Sequence, residues 1–178
     1  MTFTTSVVLP TVFTNAANGV TSSGATLNGT INPNNATTTA TFDFGTSTAY
    51  GTVYTAAQSP LTGNSFIGTT YNVTGLAPNT VYWFRANGTN SAGTASGVDA
   101  MFITTAVAPT VVTTPATAIG TTFATLNGTV NANNQSSTVT IEWGLTTAYG
   151  NTVTPTPSTI TGYTVTPVSF NLTGLVNN

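Results

Sequence analysis

Residues 25–51 read ATLNGTINPNNATTTATFDFGTSTAYG, and residues 124–150 read ATLNGTVNANNQSSTVTIEWGLTTAYG. The offset is 99 and holds without a gap: Phe3 falls on Phe102, Pro10 on Pro109, Gly63 on Gly162 and Leu76 on Leu175. About two fifths of the overlapping positions are identical, far beyond coincidence even in a Thr-rich chain. Such self-similarity marks repeated structural units. Whatever one unit folds into, the other must also be able to fold into.

Each unit reads as short strands. Thr, Val, Ile, Phe and Tyr dominate, and Gly, Pro and Asn punctuate. In ATLNGTIN, Ala25, Leu27, Gly29 and Ile31 alternate with Thr26, Asn28, Thr30 and Asn32. That is the period of a strand with one face buried and one wet. The same parity directs Ala40, Phe42 and Phe44, then Tyr71 and Val73, then Tyr82, Phe84 and Ala86 inward. No stretch combines helical spacing with helix formers. Several short strands at regular spacing predict an all-β, two-sheet sandwich.

These residues carry a resemblance. LAPNTVYWFRANGTNSAG at 76–93, with ATLNGTINPNN and FDFGTSTAYG before it, resembles the fibronectin type III pattern of secreted bacterial proteins. The resemblance covers essentially the whole chain. It implies tandem immunoglobulin-like, fibronectin type III β-sandwiches joined head to tail, with Tyr82 making a tyrosine corner. Leu27 and Leu126 stand where the family often has a Trp. There is no Arg-Gly-Asp, so integrin binding is not carried over.

The repeat sets the expected domains. Residues 10–105 form a complete unit of seven strands, the last being VDAMFITT. Residues 106–178 form a second unit without its last two strands. Residues 1–9, with Phe3, Val7 and Val8, match the end of a final strand, either from a preceding domain or donated to a neighbour. The second unit's inward set includes Leu126, Val130, Ile141, Trp143, Phe170, Leu172 and Leu175. Leaving each wet costs about 1.5–3 kcal/mol, together as much as a domain's whole stability of about 5–15 kcal/mol. Something must complete it. Either the chain is a window on a longer array, or it is a polymer subunit that receives a donated strand.

Composition removes several functions. Thr, Ser and Asn supply 76 residues (45, 12 and 19), whereas the charged residues are Asp43, Arg85, Asp99 and Glu142. There is no Lys, His or Cys. One Arg offers little to phosphates, so no nucleic-acid partner is expected. No apolar run reaches the roughly 18 residues of a membrane helix, so no membrane insertion is expected. The N-terminus lacks the basic and apolar regions of a signal peptide. Acid–base, nucleophilic and metal chemistry need residues this chain lacks or scatters, so neither enzymatic activity nor a catalytic, metal or cofactor site is expected. Without lysine, isopeptide cross-links are excluded, and sheet edges lack their usual guard against pairing.

The remaining candidates are binding surfaces. Asp43 and Arg85 face outward on adjoining strands and read as a cross-strand ion pair. Trp83 points outward as well, available for stacking on a sugar or a neighbour. Seven Asn-x-Ser/Thr sequons begin at Asn28, Asn35, Asn72, Asn87, Asn127, Asn134 and Asn171, close to the roughly six that chance gives at this composition. Asn28, Asn72 and Asn87 share the outward parity, and Asn28/Asn127, Asn35/Asn134 and Asn72/Asn171 recur at equivalent places. Asn28 and Asn127 rank first as glycan acceptors, then Asn72 and Asn171. The function expected is a structural segment of an extracellular filament or cell-surface fibre, its partners neighbouring copies of itself and covalent glycans. The alternative is a spacer or carbohydrate-binding accessory module of a large secreted enzyme or adhesin.

Overall fold

The computed structural model describes residues 6–176, which are all-β, with antiparallel sheets and no helix. The chain divides after Thr105 into two compact units.

Unit 1 contains β1 (Thr11–Asn18), β2 (Gly24–Asn32), β3 (Thr39–Gly45), β4 (Thr52–Thr55), β5 (Ile67–Thr74), β6 (Val81–Asn90), β7 (Gly93–Ser96) and β8 (Ala100–Ile103). One sheet runs β1-β2-β5; the other runs β4-β3-β6, with β7 and β8 successive along the far edge of β6. Their inner faces share one core. Ala25, Leu27 and Ile31 of β2 meet Ala40, Phe42 and Phe44 of β3 and Tyr82, Phe84 and Ala86 of β6. The alternation in the sequence is therefore the alternation of burial along each strand. Phe44 anchors an aromatic stack, lying 5.1 Å from Tyr82 at an interplanar angle of 11°. The two sheets approach closely at Gly29, where a Cβ would lie 2.7 Å from that of Ala86. Between β2 and β3 the chain reverses in a turn closed by Ala36 N–H to the Pro33 carbonyl. Asn34 and Asn35 take its centre at φ 52° and 62°, the left-handed pair that asparagine tolerates best after glycine.

The final strand expected over VDAMFITT contains β8, and a further short strand, β7, precedes it. Thr14 of β1 accepts a 3.0 Å hydrogen bond from the Ala86 amide through its Oγ1, a donor that would otherwise serve the ladder. Gly97 lies so close to Thr14 that a Cβ there would strike it. Crossing β1 thus interrupts the last strand between β7 and β8.

Unit 2 contains β9 (Thr110–Thr117), β10 (Phe123–Asn131), β11 (Ser137–Thr138), β12 (Ile141–Trp143), β13 (Asn151–Val153), β14 (Thr159–Ile160) and β15 (Thr166–Thr173). The sheet β9-β10-β15 keeps the register of unit 1: Leu126 stands opposite Phe170 as Leu27 stands opposite Tyr71. Its facing layer consists of the pairs β11-β14 and β12-β13. The buried core shrinks to Val130, Ala132, Val139, Ile160 and Val168, with Leu172 also buried.

Phe3 lies outside the described residues. Val7 and Val8, expected in a strand, are exposed and belong to no sheet. The carbonyls of Val8 and Leu9 are taken by the side-chain amides of Asn90 and Asn34 at 2.7 Å. Side chains satisfy this backbone instead of a ladder, and Pro10 has no N–H to extend one. Unit 2 repeats the device: Gln135 and Asn133 donate to the carbonyls of Val107 and Ala108.

Candidate functional site

Three of the four charged residues of the chain meet on the outer face of the β3–β6 sheet. Asp43 and Arg85 are register partners, and Arg85 Nε lies 2.9 Å from Asp43 Oδ2. The Arg85 guanidinium stands over the Tyr50 ring, 5.1 Å from its centroid, at cation–π range. Tyr50 in turn donates to Asp99 at 2.5 Å. Burial first, then the hydrogen bond to Asp99, pushes the Tyr50 hydroxyl up to about 12. The hydrogen bond to Asp43 raises Arg85 above its already high ordinary value. Half-buried Trp83 occupies the same face of β6. The chain of contacts Asp43–Arg85–Tyr50–Asp99 ties β3, β6 and the loop before β8 together. Its partly exposed ion pair is worth about 0–1 kcal/mol. Sequence parity identifies Asp43 and Arg85. Tyr50 and Asp99 were not identified, because both lie outside regular strand alternation.

Unit 2 carries half of this cluster. At the 99-residue offset Glu142 replaces Asp43 and Tyr149 replaces Tyr50. Both border an open cleft of about 410 Å³, together with Gly128, Val139, Ile141 and Val168. The inner face of unit 2 is correspondingly uncovered: Leu126, Ile141, Trp143 and Leu175 are half-buried, whereas their counterparts Leu27, Phe42, Phe44 and Leu76 are buried. Trp143 Nε1 is itself out of solvent contact and has no hydrogen-bond partner.

The sequon asparagines separate by geometry. Asn28 Nδ2 donates to the Ala16 carbonyl at 2.8 Å, and Asn127 Nδ2 to that of Pro115 at 3.1 Å. In both units the first strand shifts register there, between Asn15 and Asn18 and between Thr114 and Thr117. A bulge leaves a carbonyl without a ladder partner, and the asparagine of the NGT motif fills that vacancy. Glycosylation of Asn28 or Asn127, expected as the first acceptors, would take one of the two hydrogens of the nitrogen that does so. Asn72 and Asn171 are exposed and use Oδ1, accepting from Thr26 and Thr125. Asn87, expected outward and accessible, is buried instead. It stands on central β6 between Thr41 and Ser96, and neighbours on both sides cover it. Asn35 and Asn134 sit in the left-handed turns, exposed and half-buried respectively.

Tyr82 Oη accepts the Ala77 amide at 3.0 Å and so pins the β5–β6 connection to the core. The Thr105 amide is bonded to the Thr21 carbonyl within unit 1, and the Val107 carbonyl is held within unit 2. Among the described residues no three His, Cys, Asp or Glu side chains gather as metal ligands, and no helix is long and apolar enough to cross a membrane. No protein-family model matches the chain, and no curated protein matches it.

Proposed function

We propose that this chain is a structural segment of an extracellular filament or cell-surface fibre, built from fibronectin type III-like sandwiches repeated head to tail. The observation that carries the reading is the gapless 99-residue repeat: one folding unit duplicated with its entry segment, so that the first unit runs directly into the start of the second. One feature supports it. The segments entering the units are clamped by the same asparagine, Asn34 or Asn133, which favours a short, stiff connection. Glycans on Asn72 and Asn171 belong to the proposal, since their Nδ2 atoms are the best placed to project outward. Antibodies raised against the chain test it by immunogold electron microscopy of intact producing cells. Gold along surface fibres is expected. Labelling confined to the cell interior refutes the reading.

A further inference from the structure

The outer face of the β1-β2-β5 sheet is largely Thr and Asn, yet two aromatic rings stand out from it. Phe13 of β1 is 53% exposed, and Phe66, just before β5, is 55% exposed. Their rings meet, with centroids 5.7 Å apart and planes inclined by 46°. Phe13 pairs with Thr30 of β2, and Thr30 pairs with Gly68 of β5. Phe66 lies two residues before Gly68 and so shares its side of the sheet. The rings therefore lean together from the two edges over the central strand. Gly68 leaves the floor beside them open, since a Cβ there would meet nothing within 4 Å. Asn15 Nδ2 donates to Thr30 Oγ1 at 2.7 Å. The Thr30 hydroxyl keeps its own proton to donate, and Asn15 Oδ1 keeps lone pairs to accept. A lone exposed apolar side chain is ordinary; two rings in contact among hydroxyls and amides make a discrete apolar spot with a polar rim.

Charge and size select the occupant. Asp43, Arg85 and Asp99 gather on the outer face of the other sheet, and Glu142 belongs to unit 2. A face without charge favours an uncharged ligand over a polyanion or polycation. A fully buried Phe covers about 150–250 Å², so two half-exposed rings offer on the order of 200 Å², against the roughly 1,200 Å² or more of a stable protein interface. A sugar matches both properties: a pyranose lays a flat C–H face on an aromatic ring and turns its hydroxyls to Thr and Asn. The two rings are inclined, so one flat pyranose cannot lie on both; consecutive units of a chain can. We propose that Phe13 and Phe66, with Thr30 and Asn15, form a binding site for a neutral polysaccharide. At the 99-residue offset the rings are replaced by Val112 and Val165, both exposed but unable to stack, so the site belongs to unit 1. It goes beyond the fibre reading and does not depend on it.

The whole chain is run in native gels containing hydroxyethyl cellulose, galactomannan or pullulan, all uncharged, or anionic alginate. Retardation by at least one neutral polymer is expected. Phe13→Ala and Phe66→Ala should each raise the apparent Kd about tenfold, whereas Phe13→Tyr and Phe66→Tyr should retain binding; amide NMR spectra check the fold of each variant. Trp83→Ala, on the other sheet, should leave binding unchanged. Migration unaffected by every neutral polymer, retardation by alginate alone, retardation that survives both alanine substitutions, or its loss in Trp83→Ala overturns the proposal. Concentration-dependent dimerisation in sedimentation that Phe13→Ala abolishes also overturns it, in favour of a second copy on this face. Gold can label surface fibres whose chain binds no polysaccharide, and the chain can bind where no fibre labels, so the two readings fail separately.

Discussion

Leu27 and Leu126 are the same residue at the same place in two copies of one fold, and they differ in what covers them. Leu27 is 0% exposed in the core with Phe42 and Phe84. Leu126 is half-buried and lines a cleft with Ile141. Leu27→Ala removes buried methyl groups and leaves an enclosed void, so it should cost about 3–5 kcal/mol. Leu126→Ala loses only part of the transfer term and opens no closed cavity, so it should cost about 1–1.5 kcal/mol. The expected gap is about 1.5–4 kcal/mol from identical chemistry. The chain provides its own probes, since its two tryptophans are Trp83 in unit 1 and Trp143 in unit 2. Urea unfolding followed by fluorescence in Trp143→Phe and Trp83→Phe backgrounds reads each unit separately. Costs within 0.5 kcal/mol of one another would refute the argument that the second core is open.

Gly29→Ala should destabilise unit 1 by about 1–3 kcal/mol through overpacking against Ala86, read in the same urea assay, while Gly128→Ala, whose Cβ would meet the Val112 carbonyl at 3.0 Å but no side chain of the facing layer, should cost less. Asn28→Ala removes the donor to the bulge carbonyl of Ala16 and should cost about 1–2 kcal/mol, with amide exchange rising at the β1–β2 pair. Tyr50 should ionise near pH 12 by ultraviolet difference spectroscopy. Because the folded value is raised, its contribution is fully present below the ordinary tyrosine range near pH 10 and is lost as pH climbs towards 12; Tyr50→Phe should flatten that loss. Intact-peptide mass spectrometry of material from producing cells should find glycans at Asn72 and Asn171 and none at Asn87; modification of Asn87 in folded protein would contradict its burial.

Strand parity was legible because the buried face follows strict alternation: Leu27, Phe42 and Phe84 were readable as core, and all are fully buried. The ion pair of Asp43 with Arg85 was readable for the same reason. The separate strand β7 before VDAMFITT was not, because the break between β7 and β8 depends on a tertiary hydrogen bond from the Ala86 amide to Thr14, 72 residues away. The clamp beside Val7 and Val8 was not legible either, because the repeat shows what these residues resemble but not that Asn90 and Asn34 take the adjoining carbonyls.

The asparagines define the limit of parity as evidence. Asn28, Asn72 and Asn87 all point away from the core, yet one fills a bulge, one is exposed and one is buried. Parity gives the side of the sheet; the position of the strand within the sheet decides access. Asn87 lies on a strand paired along both edges, so a side chain on its outer face is walled in by the side chains to left and right. Asn72 lies on β5, an edge strand with one neighbour, and one wall is missing. The same reasoning extends to the charged cluster. Arg85 shares central β6 with Asn87, but its length carries the guanidinium past the neighbouring side chains to Asp43 and the Tyr50 ring. On a central strand without lysine, a long side chain is the means by which outer-face chemistry reaches solvent, and this chain has one arginine to place there.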